Sequence, residues 1–97
     1  MARYILLWEL DSTRTPDDPK ERQKQWRTFQ DMVVERLESG ETKDWGKYVG
    51  EGRGYAIIEG TEMDAEELGN TYFPYVTFEV KQIISIEQAI EVVKAMA

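Results

Sequence analysis

The feature that most constrains this chain is a pair of short segments that are apolar at almost every position. The first, Arg3–Leu10, reads RYILLWEL, and the second, Gly54–Glu59, reads GYAIIE. A strand that is covered on both faces carries apolar side chains on both, whereas a half-solvated strand alternates apolar and polar residues. We therefore predict that these two segments are the central strands of a sheet.

Two further segments carry the signals of the remaining strands. Val76–Ile84 begins VTFEVK and alternates, which is typical of an edge strand with one face in water. Lys43–Val49 is separated from the second apolar segment by the glycine-rich turn GEGRG. A turn of this kind between two strand-like segments predicts a β-hairpin.

A long helix is predicted between the first and second strands. Asp18 is its expected N-cap, with Pro19 at the first helical position and Glu21 completing a capping box. Gly40 is expected to end the helix in a left-handed conformation. The inward stripe recurs at steps of three and four residues and consists of Trp26, Phe29, Val33 and Leu37.

Capping boxes predict two shorter helices as well. Thr61 with Asp64 opens a helix that extends through Leu68 and must end before the next proline. Ser85 with Gln88 opens a C-terminal helix. The apolar face of this last helix consists of Ile86, Ala89, Ile90 and Val93.

The resulting order is strand, helix, strand, strand, helix, strand and an extra C-terminal helix. With right-handed crossovers in both strand–helix–strand units, this order gives the split ferredoxin-like βαββαβ sheet with strand order 4-1-3-2. A length of 97 residues fits one domain. We therefore predict a single α+β domain over residues 1–97.

Two helices cover only one face of such a sheet, so the other face is predicted to be apolar and uncovered. We assign Ile5, Leu7, Ala56 and Ile58 to the helix side. The uncovered side is assigned Tyr4, Leu6, Trp8, Tyr55 and Ile57. Tyr48 is the candidate that the second strand adds, although the sequence leaves open whether Tyr48 or Trp45 faces that side. An apolar patch of this size exceeds what monomers usually expose, so a second copy, a ligand, RNA bases or the C-terminal helix must cover it.

The RNA alternative is suggested by Arg53-Gly54-Tyr55-Ala56, which matches the start of the ribonucleoprotein motif. The later aromatic positions of that motif, however, fall at Ile57 and Gly60. A net charge of −7 also repels a polyphosphate partner. The GEGRG turn leads into a strand rather than a helix, so it lacks the helix N-terminus of a phosphate-binding loop. No nucleic-acid partner is predicted.

The composition removes much of the usual catalytic chemistry. The chain contains neither cysteine nor histidine, so thiolate and imidazole groups cannot serve as nucleophile, general base or metal ligand. We predict no metal and no cofactor. Glu59 is a weak catalytic candidate, because it falls beside Tyr55 and Ile57, where apolar surroundings would raise its pKa. The alternative is an ordinary carboxylate at the solvated margin of the sheet.

The N-terminal run MARYILLWEL is short and interrupted by Glu9, so neither a signal peptide nor a membrane span is predicted. We expect a cytoplasmic location and no membrane partner. The acidity of the chain is then an ordinary contribution to solubility.

The segments YILLWEL, WGKYVGEGRGYAIIEG and FEVKQIISIEQAIEVVKAMA, with the long helix between the first two, resemble a family of small bacterial and archaeal proteins that form a domain of unknown function. These proteins look like the dimeric α+β barrel superfamily, in which the open faces of two ferredoxin-like sheets pair. The resemblance covers nearly the whole chain and implies a homodimer with a cavity between or beside the sheets. The superfamily includes cofactor-free monooxygenases, small-molecule isomerases, haem enzymes and ligand-sensing domains. Without histidine, a His-ligated haem is not carried over, and no catalytic residue of a characterised relative matches.

Two classes of function follow. The first is a non-catalytic homodimeric domain that binds a small apolar or aromatic molecule or serves as an interaction module. The second is a cofactor-independent monooxygenase- or isomerase-like enzyme for a small aromatic or enolisable substrate. In that enzyme Glu59 would be the base, and Tyr4, Trp8, Tyr48 or Tyr55 would shape the pocket. Such an enzyme requires a cavity of roughly 300 Å³ or more that contains a convergent polar group.

Overall fold

The structure is a computed structural model that describes residues 2–96. Over this range it contains four strands, three α-helices and one short 3₁₀ turn, Ser12–Arg14. Their bounds are β1 Ala2–Leu10, α1 Pro19–Ser39, β2 Thr42–Lys47, β3 Arg53–Gly60, α2 Glu62–Thr71, β4 Val76–Ile83 and α3 Ile86–Ala95. Every helix and strand predicted from the sequence is present, and the largest error is at α2, which continues past Leu68 to Thr71.

The four strands form one antiparallel sheet in the order β2-β3-β1-β4. This is the order 4-1-3-2 read from the other edge, with the two apolar segments at the centre. The α+β class is confirmed, and the arrangement is compatible with a ferredoxin-like fold. Among the described residues, no helix is both long and apolar enough to cross a membrane.

The predicted N-caps and the predicted Gly40 C-cap are present, but the capping box expected from Asp18 and Glu21 is not, because only the Asp18 half of it forms. The Asp18 carboxylate accepts a hydrogen bond from the backbone N–H of Glu21, and Gly40 ends α1 with a φ of 84°. Side-chain oxygens at the N-cap satisfy backbone N–H groups that have no partner in the first turn. Reciprocal capping boxes open the other two helices: Thr61 with Asp64, and Ser85 with Gln88.

The assignment of the large β1 residues to the uncovered face is wrong. Leu6 lies opposite Ala56 in the β1–β3 pair and Trp8 lies opposite Gly54, and directly opposed residues of an antiparallel pair share a face. The side chains of Tyr4, Leu6 and Trp8 are accordingly buried on the helix side. The physical reason for Leu6 and Trp8 is volume: β3 presents Ala56 and Gly54 to the helices beside them, whereas Tyr4 lies opposite the larger Ile58.

The uncovered side of the sheet is built from the other residues of the same two strands. Ile5 lies opposite Ile57 and Leu7 lies opposite Tyr55, and all four are half-buried. We call these four residues the open face. The assignment of Ile5 and Leu7 to the helix side is therefore also wrong, whereas that of Tyr55 and Ile57 to the uncovered side is confirmed.

The core lies between the sheet and α2. Its buried residues come from β1, β3, α2, the loop after α2 and the start of β4: Tyr4, Leu6, Trp8, Ala56, Ile58, Ala65, Leu68, Tyr72 and Val76. The helix α1 buries none of its 21 residues, and only Phe29 and Met32 pack partly against this core. Space therefore remains between α1 and the sheet.

The C-terminal helix α3 projects from the rest of the domain. None of its residues is buried, and it makes no extended contact with another element. The molecule consequently measures 59 × 25 × 21 Å. Its radius of gyration of 15.9 Å exceeds the value of about 12–13 Å expected for a compact chain of this length.

Candidate functional site

A groove of about 380 Å³ lies between α1 and the helix-covered face of the sheet. Six aromatic side chains from the sheet, from α1 and from the residue after α2 are among those that line it. We call it the aromatic groove and define it by Trp8, Trp26, Phe29, Trp45, Tyr72 and Phe78. All three tryptophans of the chain are in this set.

Two stacked indoles form one wall of the groove. The ring centroids of Trp8 and Trp45 are 5.2 Å apart and the rings are within 9° of parallel. The indole Nε1–H of Trp8 donates a hydrogen bond to the backbone carbonyl of Tyr55 at 3.2 Å. The Trp8 ring lies over Gly54, where a Cβ would be only 2.7 Å from its Cζ2 atom. The glycine therefore permits the close approach that holds this wall in place.

The opposite wall is an aromatic cluster between α1, the end of α2 and β4. Phe29 contacts Tyr72 edge to face with centroids 5.7 Å apart, and Tyr72 and Phe78 are 6.0 Å apart. Burial raises the pKa of the Tyr72 hydroxyl. At the groove mouth Trp26 is 39% exposed, with the Arg22 guanidinium 5.7 Å above its ring.

Few polar groups reach the groove, and two of them are cationic. Arg36 binds the Glu41 carboxylate at 3.0 Å and the Thr71 hydroxyl at 3.2 Å. Lys47 lies on the same face of β2 as Trp45 and forms no ion pair with any residue between positions 2 and 96. The groove thus has an apolar interior and a charged margin, at which Arg36 is paired with Glu41, Glu51 lies 4.0 Å from Arg53, and Lys47 is the cation without an ion pair among residues 2–96.

The open face lies on the other side of the sheet and is bordered by ion pairs. Arg3 pairs with Glu59, Arg53 with Glu9, and Lys81 with Glu79. The Arg3 hydrogen bond lowers the pKa of the Glu59 carboxyl below its usual value. The prediction that apolar surroundings raise this pKa is therefore wrong, because the nearby guanidinium stabilises the charged form.

The tyrosines of the open face are positioned by the second strand. The Tyr55 hydroxyl donates a hydrogen bond to the Asp44 carboxylate at 3.0 Å, which raises the pKa of Tyr55. Its ring lies across Gly46, where any Cβ would collide with it. Tyr48 is 41% exposed and, together with Leu7, lines a second cavity of about 390 Å³ at the end of the sheet, which the edges of Trp8 and Phe78 also reach. Of the two aromatic candidates in the second strand, Tyr48 thus faces this side.

The residues proposed from the sequence as one ligand or dimer face are distributed over three places. Tyr4 and Leu6 are in the core, Trp8 is in the aromatic groove, Tyr55 and Ile57 are on the open face, and Tyr48 lies beside the open face just after β2. Glu59 lies at the edge of the open face, so the structure does not bring it together with Trp8.

Most residues of the aromatic groove were not identified from the sequence as site residues. Trp26 and Phe29 were assigned to the core stripe of the first helix, and Tyr72 and Phe78 were not singled out. The sequence feature that could have indicated the groove is the small size of three β3 residues on the helix side: Gly54, Ala56 and Gly60. Small residues beneath a helix that carries a tryptophan and a phenylalanine leave unfilled volume.

Within the part of the chain that the structure describes, no three acidic side chains converge closely enough to hold a metal ion. No protein-family model matches the chain, and no curated protein is significantly similar to it in sequence.

Proposed function

We propose that this protein is a non-catalytic domain that binds a small apolar or aromatic molecule in the aromatic groove. The observation that supports the proposal is that all three tryptophans line one open cavity of about 380 Å³. Aromatic side chains that serve only stability normally fill the space between elements. Here they surround a space whose volume is within the range of ligand sites, roughly 300–1,000 Å³.

The ligand that suits this groove is small, flat and weakly acidic. A two-ring aromatic molecule that buries roughly 250 Å² against the walls gains about 6 kcal/mol from the hydrophobic effect. The cost of association reduces this gain. We therefore expect dissociation constants of about 0.1 to 1 mM for a simple compound. Lys47 at the margin favours a carboxylate on the ligand, because it is the cation of the lining that forms no ion pair within residues 2–96.

Calorimetric titration with 2-naphthoate tests the proposal. Trp45→Ala removes half of the indole stack and should weaken binding by about tenfold. Tyr48→Ala is the matched control, because it removes an aromatic ring from the same region of the chain on the opposite face of the sheet. Equal affinities of the two variants, or a larger effect of Tyr48→Ala, would contradict the proposal.

The charge preference has a separate test. Lys47 is exposed, so Lys47→Met leaves the core intact. We expect this variant to weaken the binding of 2-naphthoate and to leave that of uncharged naphthalene unchanged. If both compounds lose affinity equally, Lys47 contributes packing rather than charge.

The alternative functions have less support. Glu59 is on the opposite side of the sheet from the aromatic groove, and its lowered pKa makes it a weaker base. For RNA binding, Tyr4 would have to stack on a base, but its side chain is buried in the core. Neither the enzyme nor the RNA-binding domain is favoured by an observation comparable to the groove.

We also propose that the protein is a cytoplasmic homodimer in which a second copy covers the open face. Ile5, Leu7, Tyr55 and Ile57 form an apolar strip along the two central strands, and such strips are typical of interfaces. Direct pairing of two open faces would give a dimeric α+β barrel. Sedimentation equilibrium tests the homodimer, and a monomer at micromolar concentration would refute it.

A further inference from the structure

The helix α3 presents an apolar surface that no other part of residues 2–96 covers. Its polar side carries Glu87, Glu91 and Lys94, with the last two paired at 3.6 Å. The opposite side is a continuous strip that we call the α3 stripe: Ile86, Ala89, Ile90, Val93 and Met96. The four large side chains of this strip are between 46% and 79% exposed.

A helix of this length requires a partner surface. Isolated helices shorter than about 12–15 residues are marginal in water, and helices in proteins depend on the packing of their apolar face. The α3 helix has ten residues. Its four large apolar residues leave about 500 Å² exposed to water, comparable to the largest patch on a typical monomer.

The chain does not direct α3 toward its own open face. Only Ile84 and Ser85 connect it to β4, and two residues span at most about 7 Å. Ser85 is extended, with φ −75° and ψ 167°, so the chain does not reverse at this point. The 59 Å length of the molecule reflects this continuation away from the sheet.

The charge of α3 argues against a lipid surface as its partner. Helices that lie on membranes carry lysine and arginine on their polar face and often an aromatic residue on the apolar one. The polar face here has two glutamates and one lysine, and the whole chain has a net charge of −7. A protein surface with an apolar centre is therefore the chemically suitable partner.

A second copy of this chain supplies such a surface. Each copy has one uncovered α3 stripe and one open face. A two-fold symmetric dimer in which each copy packs its α3 on the open face of the other covers both stripes and both open faces, and it leaves no surface for a third copy. The two stripes and two receiving faces together bury roughly 1,300–1,500 Å², which is within the lower part of the range of stable interfaces. A different protein on the stripe would leave the open face of this chain uncovered.

The shape and charge of the open face favour a helix over a second sheet. Its apolar residues are confined to β1 and β3, while Glu79 and Lys81 of β4 and Asp44 of β2 flank them in register. Packing the open faces of two copies directly against each other would bury these charged groups, and burying charges is energetically costly. A helix about 15 Å long that lies along the two central strands covers the apolar strip and leaves the flanking charges in water.

We infer that α3 of each copy packs its stripe on the open face of a second copy, reciprocally. This inference rests on the proposed homodimer and specifies how the open face is covered. It predicts that Ile90 of one chain lies near Leu7 of the other.

The absence of native cysteine allows a direct test by disulfide formation. Leu7→Cys and Ile90→Cys chains are mixed in equal amounts and mildly oxidised. We expect the heterodisulfide to form at least about tenfold faster than either homodisulfide, because a disulfide requires Cα atoms within about 7 Å. The control mixture replaces Ile90→Cys by Glu91→Cys, on the polar side of the same helix turn, and should give little product.

Each alternative has its own outcome in this experiment. A predominant Leu7→Cys homodisulfide would overturn the inference in favour of direct sheet pairing and would leave the proposed homodimer standing. A predominant Ile90→Cys homodisulfide would mean that the two helices pair with each other. An intramolecular disulfide in the Leu7→Cys/Ile90→Cys double variant would mean that α3 covers its own sheet. No product together with a monomer in sedimentation would refute both the inference and the homodimer.

A second measurement does not depend on cysteine. Ile90→Glu should raise the dimer dissociation constant by at least about 100-fold, because it places a charge on an apolar contact. Gln88→Glu is the matched control: it adds the same charge, and glutamate preserves the capping box with Ser85. Equal effects of the two variants would overturn the inference. Binding of the wild-type chain to phosphatidylcholine–phosphatidylglycerol vesicles, lost in Ile90→Glu with no change in oligomeric state, would overturn it in favour of a membrane.

Discussion

Replacing Gly54 by alanine should destabilise the domain strongly, although it adds a single methyl group. The new Cβ would lie 2.7 Å from Cζ2 of Trp8 and 2.8 Å from Cα of Lys47, and it would collide with the carbonyl oxygen of Gly46. Two of these three neighbours are backbone atoms of β2. Relief therefore requires that β2 move away from β3 and that Trp8 leave its stacked position.

The expected loss of unfolding free energy depends on which atoms must move to accommodate the methyl group. Overpacking a filled site by a methyl group costs roughly 1–3 kcal/mol of unfolding free energy. We expect about 3 kcal/mol, since a strand and an indole ring are displaced together. With a urea m-value of about 1 kcal/mol/M for a small domain, the unfolding midpoint should fall by about 2–3 M.

The matched control is Gly52→Ala, two positions earlier in the chain. The nearest atom to a Cβ at Gly52 is Cδ1 of Leu10 at 3.5 Å, an ordinary contact, so its midpoint should change by less than about 0.5 M. Urea unfolding is followed by tryptophan fluorescence and by the far-UV exciton signal of the stacked Trp8 and Trp45 rings. If both variants unfold at the same midpoint and keep that signal, the close approach of the strands and Trp8 at Gly54 is refuted.

Three further predictions concern the core, a helix cap and a surface ion pair. Leu6→Ala should lower the unfolding free energy by roughly 3–5 kcal/mol, since Leu6 is fully buried, and a loss below about 1 kcal/mol in urea would contradict the core assignment. Thr61→Ala removes the acceptor for the backbone N–H of Asp64 and should cost about 1 kcal/mol in the same assay; an unchanged midpoint would argue against this cap. Arg3→Met removes the hydrogen bond that holds the pKa of Glu59 below its ordinary 4.5. The wild-type ion pair stabilises the fold above pH 4.5 and loses this effect as the pH falls through the lowered pKa of Glu59. The variant should therefore be less stable at neutral pH, and its stability should fall less on acidification. Parallel curves of stability against pH for the two proteins would contradict this.

The elements of this fold could be predicted because their signals are local. The caps of all three α-helices and the hairpin turn each depend on a few neighbouring residues, and the structure has them where the sequence places them. The strand order follows when both strand–helix–strand connections are given a right-handed crossover. The projection of α3 is different, because it depends on the backbone of Ser85 and on which surface is available to the helix. Local sequence signals do not determine either of these.

The aromatic groove could not be predicted from residue types. Its size is the difference between the space that separates α1 from the sheet and the volume of the side chains that occupy this space. Trp26 and Phe29 recur at the spacing of a core-facing stripe, and that spacing is the same whether the space beneath is filled or empty. What decides is how far α1 stands from the sheet. That distance depends on all the side chains that meet there, among them Trp45 and Tyr72.

The distribution of small residues, rather than that of large ones, determines which face of the sheet each aromatic side chain occupies. On the helix side β3 offers Gly54 and Ala56, and on the other side it offers Tyr55 and Ile57. A neighbouring strand packs best when its large side chains lie beside small ones, because interiors are filled to nearly constant density. Trp8 must therefore share a face with Gly54, and grouping it with Tyr55 by aromatic character leads to the wrong face. Had volume complementarity between neighbouring strands been applied to the sequence, it would have placed Trp8 beneath the helices and left Leu7 on the open face.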